Sequence, residues 1–234
     1  NTAGSINTTT TSVGTTQGFS ISTYTGNGTA GATIGHGLGA KPAFIIQKNR
    51  DDAENWQVQH KSHGAEKYFT LNSTNGVGDQ ASRWNDTEPT TTLISLGSDS
   101  SVNLSGEDMV IYAWAEVQGF SKFGKYIGNG SANGAFVYLG FRPAWVLVKQ
   151  TNTDSEDWAM WDNKRDPTND GASNSAITND SDQPADTHII DFLSNGFKLR
   201  STDNIVNDTD DSYIFAAFAE APFVNSNGVP NNAR

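Results

Sequence analysis

The chain has 234 residues, 35% apolar and 10% aromatic, enough for one or two packed cores. Its formal charge of −11, without a basic run anywhere, argues against a nucleic-acid partner, because phosphate backbones are held through clustered Lys and Arg. Cysteine is absent, which removes disulfides and thiolate metal sites, and no segment approaches the roughly 18 consecutive apolar residues of a spanning helix, so no membrane insertion is expected.

Residues 1–17 are polar, β-branched and of low complexity, and read as a connector from a longer chain. From Gly18 onward, short apolar or alternating runs between turn residues predict strands over Phe19–Tyr24, Ala43–Lys48, Trp56–His60, Tyr68–Leu71, Leu93–Leu96 and Met109–Val117. Turns are predicted at Gly26-Asn27-Gly28, Asn75-Gly76 and Ser105-Gly106, the first because Asn-Gly tolerates positive φ. Gly64–Phe69 is the one stretch that suits a helical turn. Farther on, strands are expected over Trp145–Lys149, Trp158–Trp161, His188–Phe192, Phe197–Leu199 and Tyr213–Ala219, and residues 223–234 read as a polar tail.

The second series repeats the first. Gly18-Phe-Ser returns at Gly119, Gly26-Asn-Gly at Gly128, Lys41-Pro-Ala as Arg142-Pro-Ala, Val102-Asn as Val206-Asn, and Tyr112–Glu116 as Ala216–Glu220. The offset drifts only from 101 to 104 residues, a domain-sized period rather than the roughly 20–50 residues of solenoids. The expected fold is therefore all-β, two tandem antiparallel β-sandwich (jelly-roll-like) repeats over 18–118 and 119–222. Ala43–Gln47 and Met109–Val117 are apolar on both faces, as a central strand covered on both sides would be.

Catalytic chemistry is hard to place. Glycoside cleavage needs two carboxylates across a cleft, but the obvious pair, Glu116 and Glu220, are repeat equivalents, which suggests a shared structural role. His36, His60, His63 and His188 lack metal-motif spacing, and no nucleophile elbow or phosphate loop is present. No catalytic, cofactor-binding or metal-ligating residue is expected. Acidic loops at Asp154, Glu156 and Asp157, at Asp180 and Asp182, and at Asp208, Asp210 and Asp211 make a structural calcium ion the one cofactor to look for, although none is an ordered twelve-residue calcium loop. Among aromatics, Trp56, Trp114, Trp145 and Trp158 lie on predicted strands and are expected as core anchors. Trp84, Trp161 and Tyr138 fall near predicted loops, where a flat ring can grip a sugar. With Arg165 and Asp166 close to Trp161, the expected ligand contacts are Trp84, Trp161 and Arg165. The loops differ between copies, Asn72–Thr92 in the first and Asp166–Pro184 in the second, so separate contacts are expected.

The ordered set of Gly-Phe-Ser, Tyr-Thr-Gly-Asn-Gly-Thr, His36–Gly39, Lys-Pro-Ala before an apolar strand, Asn-Trp, Val-Asn-x-Ser-Gly, an Ala-Glu strand end and Asp191–Arg200 resembles a repeat domain found near the ends of virion structural and tail-fibre proteins of marine bacteriophages. The resemblance covers about 18–222, and its motifs are turn and core positions. It implies a non-enzymatic piece of a phage particle at the virion surface, a fibre, spike or appendage that contacts the host cell surface. Implied partners are copies of itself in a homotrimer, other virion proteins and a host surface glycan. A capsid-decorating protein and a glycan-degrading tailspike are the alternatives.

Overall fold

In the computed structural model, which describes residues 1–165, 167–169, 175–180 and 189–220, the alternating runs become strands joined by turns and single helical turns. The chain forms two compact units. Unit 1 comprises Asn1–Leu71 and Val77–Glu116; unit 2 comprises Asn72–Gly76 and the residues from Val117 onward. The fold is all-β with several antiparallel sheets. No helix among the described residues is long and apolar enough to cross a membrane.

Unit 1 contains β1 (Thr10–Gly14), β2 (Phe19–Thr25), β3 (Ala32–Gly35), β4 (Phe44–Asn49), β5 (Gln57–His60), β6 (Lys67–Thr70), β7 (Gly78–Asp79), β8 (Leu93–Leu96) and β9 (Asp108–Trp114), with helical turns α1 (Ala81–Trp84) and α2 (Ser100–Asn103). Seven strands form one sheet in the order β1-β2-β9-β4-β5-β6-β7, and β3 pairs with β8. The period of two decides the layers. Met109, Ile111 and Ala113 of β9 pack with Ile34 of β3 and with Ile94 and Leu96 of β8 in one core, while Tyr112 and Trp114 point to the opposite face.

Unit 2 repeats the plan with β10 (Ser121–Ile127), β11 (Phe136–Tyr138), β12 (Trp145–Gln150), β13 (Trp158–Asp162), β14 (Ala176–Ile177), β15 (Ile190–Leu193), β16 (Gly196–Leu199) and β17 (Ser212–Phe218), plus the turn α3 (Asn204–Asn207). A five-stranded sheet runs β10-β17-β12-β13-β14 and a three-stranded sheet β11-β16-β15. Val146, Val148, Phe215 and Ala217 of the larger sheet share a core with Val137, Ile190, Phe192, Phe197 and Leu199 of the smaller.

Equivalent residues make equivalent bonds. Tyr24 donates its hydroxyl to the Val102 carbonyl (2.6 Å) and Tyr126 donates to Val206 (2.8 Å). Asn103, fully buried, donates through Nδ2 to the carbonyls of Thr29 (3.0 Å) and Gly97 (2.9 Å) and accepts from the Asn27 amide (3.0 Å). Asn207, also fully buried, donates to Ser131 and Ser201 (both 2.8 Å) and accepts from Asn129 (3.0 Å). This corrects the Gly26-Asn27-Gly28 turn. The run crosses from β2 toward β3 along α2, and Gly26 is required because a Cβ there would lie 2.2 Å from the Leu104 carbonyl oxygen. Gly28, at φ +69°, takes the left-handed conformation.

Residues 1–17 do not behave as a connector. They belong to unit 1: β1 pairs with β2 from Thr10↔Thr23 to Gly14↔Phe19, Ile6 bridges Ile34 in parallel, and Ser5 and Thr33 exchange hydrogen bonds of 3.0 and 2.9 Å. An edge strand needs few apolar anchors, and Ile6 is buried, so low complexity concealed it. Gly64–Phe69 is not helical; Gly64 is left-handed at φ +75° and Lys67 begins β6. The tail 223–234, His188 and most of Asp166–Pro184 lie outside the described residues.

Candidate functional site: an exposed aromatic strand

The expected ligand contacts do not form a site. Trp84 ends α1, and its indole is 1% exposed within the unit 1 core, with no partner for Nε1. Its neighbour Arg83 pairs with Asp99, donates to Ser101 Oγ (3.0 Å) and lies 4.9 Å above the Tyr68 ring. Trp161, also 1% exposed, alternates inward with Ala159 along β13 and joins the unit 2 core. A fully buried indole offers no face to a sugar, and withdrawing so large an apolar group from water is worth roughly 1.5–3 kcal/mol or more. Polar neighbours suggested a loop; the side chain's own apolar area decided otherwise. Arg165 sits on the turn after β13, 3.4 Å from Asp162. Asp166 lies outside the described residues.

The core anchors divide as well. Trp158 is buried but belongs to neither core, since Ala159 and Trp161 take the inward face of β13; Trp56, just before β5, is half-buried, and Trp114 and Trp145 are half-buried on sheet faces turned away from the cores. In unit 1, Trp114 contacts Phe19, Phe44 and Tyr112 at centroid distances of 4.9, 5.6 and 6.3 Å. In unit 2, Phe218 contacts Trp145, Phe123 and Phe120 at 5.6, 5.6 and 6.0 Å.

The titratable groups serve structure. Glu116 pairs with Lys61 (2.5 Å) and Glu220 with Lys164 (2.6 Å), the same ion pair at the matching turn of each copy. The Lys164 ammonium, through its hydrogen bond, lowers the pKa of Glu220. His36 is buried, accepts at Nδ1 from the Leu38 amide (3.3 Å) and lies 3.3 Å through Nε2 from the Thr90 carbonyl; burial lowers its pKa. Lys149 is excluded from solvent and donates to the carbonyls of Thr74 (2.8 Å) and Glu156 (2.7 Å). Desolvation brings its pKa down to about 8, against the opposing pull of Glu156, Asp157 and Asp154. Burial raises Tyr24 and Tyr126 well above the ordinary tyrosine range.

The acidic loops hold amides. Asp154 accepts from the Gly76 amide (2.9 Å), Asp157 from Asn179 (2.6 Å) and Asp211 from Asn152 (2.5 Å). Among the described residues no three His, Asp or Glu side chains converge to hold a metal ion; Asp182 lies outside them.

One feature is exposed that a core would normally claim. Phe136 (45%) and Tyr138 (59%) alternate outward on β11 around the buried Val137, and they are the two exposed aromatics among the described residues. Phe136 sits opposite Lys198 and Tyr138 opposite Gly196 on β16. The Phe136 ring lies over Gly196, where a Cβ would meet ring atoms at 3.0–3.1 Å. Lys122 places its ammonium 5.3 Å over the Tyr138 ring and donates to the Tyr138 carbonyl (3.2 Å); Lys198 donates to Gly134 (2.9 Å). The equivalent positions of unit 1 are Thr33 and Gly35, paired with Ser95 and Leu93. There the face is covered: Ser5 bonds Thr33, and the Asn1 side chain lies 2.5–2.7 Å from where a Gly35 Cβ would be. Comparing the copies residue by residue, Thr-Ile-Gly against Phe-Val-Tyr, was the available signal for this site.

Comparison with curated proteins and with solved structures finds no match. Residues 1–222 match a family described as a domain of unknown function, DUF7483. The match takes in the amino-terminal strand and both units, so the chain belongs to the DUF7483 family.

Proposed function

We propose that this protein is a non-enzymatic surface module of a bacteriophage virion, part of a tail fibre, spike or appendage, and that it contacts the host cell through unit 2. The reading rests on the sequence resemblance, and one structural observation supports it. Two units with the same hydrogen-bonded frame differ in that one closes its small-sheet face with residues 1–6 while the other leaves Phe136 and Tyr138 exposed. A kept scaffold with one altered face suits a binding role. In this reading each unit is a jelly-roll-like sandwich, which the repeated passage of the chain between large and small sheets favours. The assembly is a homotrimer, and no cofactor takes part.

Immunogold labelling of intact particles with an antibody against this chain tests the reading. Label at tail or fibre tips is the expected result. Label spread over the head makes it a decoration protein and removes the host-contact role.

A further inference from the structure

The outer face of the three-stranded sheet in unit 2 carries chemistry that the scaffold does not require. Its first cross-strand row is Phe136, Lys198 and Asp191, and its second is Tyr138, Gly196 and Leu193. Asp191 is held by Arg200 Nε at 2.5 Å. Among the described residues, Lys122 and Lys198 have main-chain carbonyl partners and no carboxylate partner. An ammonium carries three donors, so each keeps capacity for a ligand. Two rings at i and i+2 of a strand stand roughly 7 Å apart on one face. Gly196 lets the Phe136 ring lie against the backbone and present its other side outward.

We infer that this face is a stacking shelf for an acidic saccharide, a sugar chain bearing carboxylates. The inference rests on the surface-contact reading above. The flat C–H faces of pyranose rings lie on Phe136 and Tyr138, and carboxylates of the same chain meet Lys122 and Lys198 through charge-assisted hydrogen bonds. The local charge supports this choice: among the described residues just named, three cations, Lys122, Lys198 and Arg200, stand against one carboxylate, Asp191. A nucleic acid is a weaker occupant, because its affinity comes from many phosphate contacts and this face offers two ammonium groups. A second copy of the chain is a weaker occupant, because a stable interface takes about 800 Å² from each partner and two exposed rings supply a small part of it.

The test is native electrophoresis of the full chain through gels cast with polygalacturonate, alginate or polysialic acid, with fully methyl-esterified polygalacturonate, with a thymidine oligonucleotide, or with no additive. Retardation by at least one acidic polymer and by neither the ester nor the oligonucleotide is expected. Phe136→Ala and Tyr138→Ala, and the double variant Lys122→Met/Lys198→Met, then bind at least tenfold more weakly. All four sites are at the surface, and unchanged melting temperatures confirm that the variants fold. No retardation by any acidic polymer, equal retardation by the ester, preference for the oligonucleotide, or full binding by Tyr138→Ala overturns the inference. A Tyr138-dependent dimer in sedimentation also overturns it, by giving the face to a second copy. Staining of host cells with labelled chain separates the two levels. Tyr138-dependent staining without polymer retardation sinks the acidic saccharide and leaves the contact module standing, whereas retardation without staining does the reverse.

Discussion

Lys149 and its counterpart Lys48 show how one residue type at equivalent positions acquires different physics. Lys48 donates to the Asp52 carbonyl (2.9 Å) and stays partly exposed, whereas Lys149 is sealed beneath segment 72–76 and the loop through Glu156. A lysine whose pKa falls from 10.5 to about 8 holds its proton less tightly when folded than when unfolded. Below pH 8 both states are charged and the full cost of burying the ammonium is present. Between pH 8 and 10.5 the unfolded chain binds more protons, so this residue's contribution to stability improves as pH rises. The expected outcome is that wild type gains roughly 3 kcal/mol relative to Lys149→Met across that interval, measured by urea unfolding at a series of pH values. A flat difference would mean that Lys149 titrates normally. Tyr24 and Tyr126 act the other way: their raised pKa values keep them neutral when folded, so they oppose folding as pH rises above about 10. The comparison with the methionine variant cancels them.

The element that most defines the repeat is the helical turn ending in asparagine. Asp99 caps α2 by accepting from the Ser101 amide, and Asp203 caps α3 from the Ile205 amide. Each turn then presents its last residue, Asn103 or Asn207, as a hub that ties two stretches of its unit to the turn, residues 27–29 and Gly97 in one and residues 129–131 and Ser201 in the other. Alanine at either position removes three hydrogen bonds, each worth about 0.5–1.5 kcal/mol, and the one to the buried carbonyl of Gly97 or Ser201 costs about 1–3 kcal/mol to lose. Asn207→Ala and Asn103→Ala are each expected to lose at least about 3 kcal/mol in chemical unfolding; a loss below about 1 kcal/mol would mean that water replaces the amide. These hubs were half legible. Val-Asn and Gly-Asn-Gly stood out as repeated motifs, but nothing local says that residues about 76 positions apart bond to each other. The edge strand β1 was not legible, because Thr and Ser in alternation look the same in a linker and on a sheet edge.

At the scale of the whole molecule, the division between the units falls at Glu116 and Val117, two residues before the repeat boundary read from the sequence, and one short segment is exchanged. Asn72–Gly76 comes from the first half of the chain but belongs to unit 2, where Gly76 donates to Asp154 and Thr74 covers Lys149. Gly76 is needed because a Cβ would lie 2.5 Å from the Thr153 carbonyl oxygen. A fragment of residues 117–222 therefore lacks part of its own unit. It is expected to melt at a lower temperature than unit 2 in the full chain, and Lys149 within it to titrate closer to 10.5, as read by NMR of the lysine ammonium. Equal melting and an unchanged lysine would show that the segment adds nothing to unit 2.

Composition alone determined that the chain is all-β, and the return of its motifs is legible in the sequence itself. Those properties are written in local chemistry: Gly, Asn and Thr in place of helix formers, alternation at a period of two, and motifs returning after about 100 residues. Tertiary structure decided which aromatics were covered. Trp84 and Trp161 vanished into cores despite polar neighbours, while Phe136 and Tyr138 stayed exposed on a strand whose inward residue, Val137, completes the core. The reason is that alternation states only that a side chain lies on one face or the other. What packs against that face comes from distant segments, residues 1–6 in unit 1 and none of their kind among the described residues of unit 2.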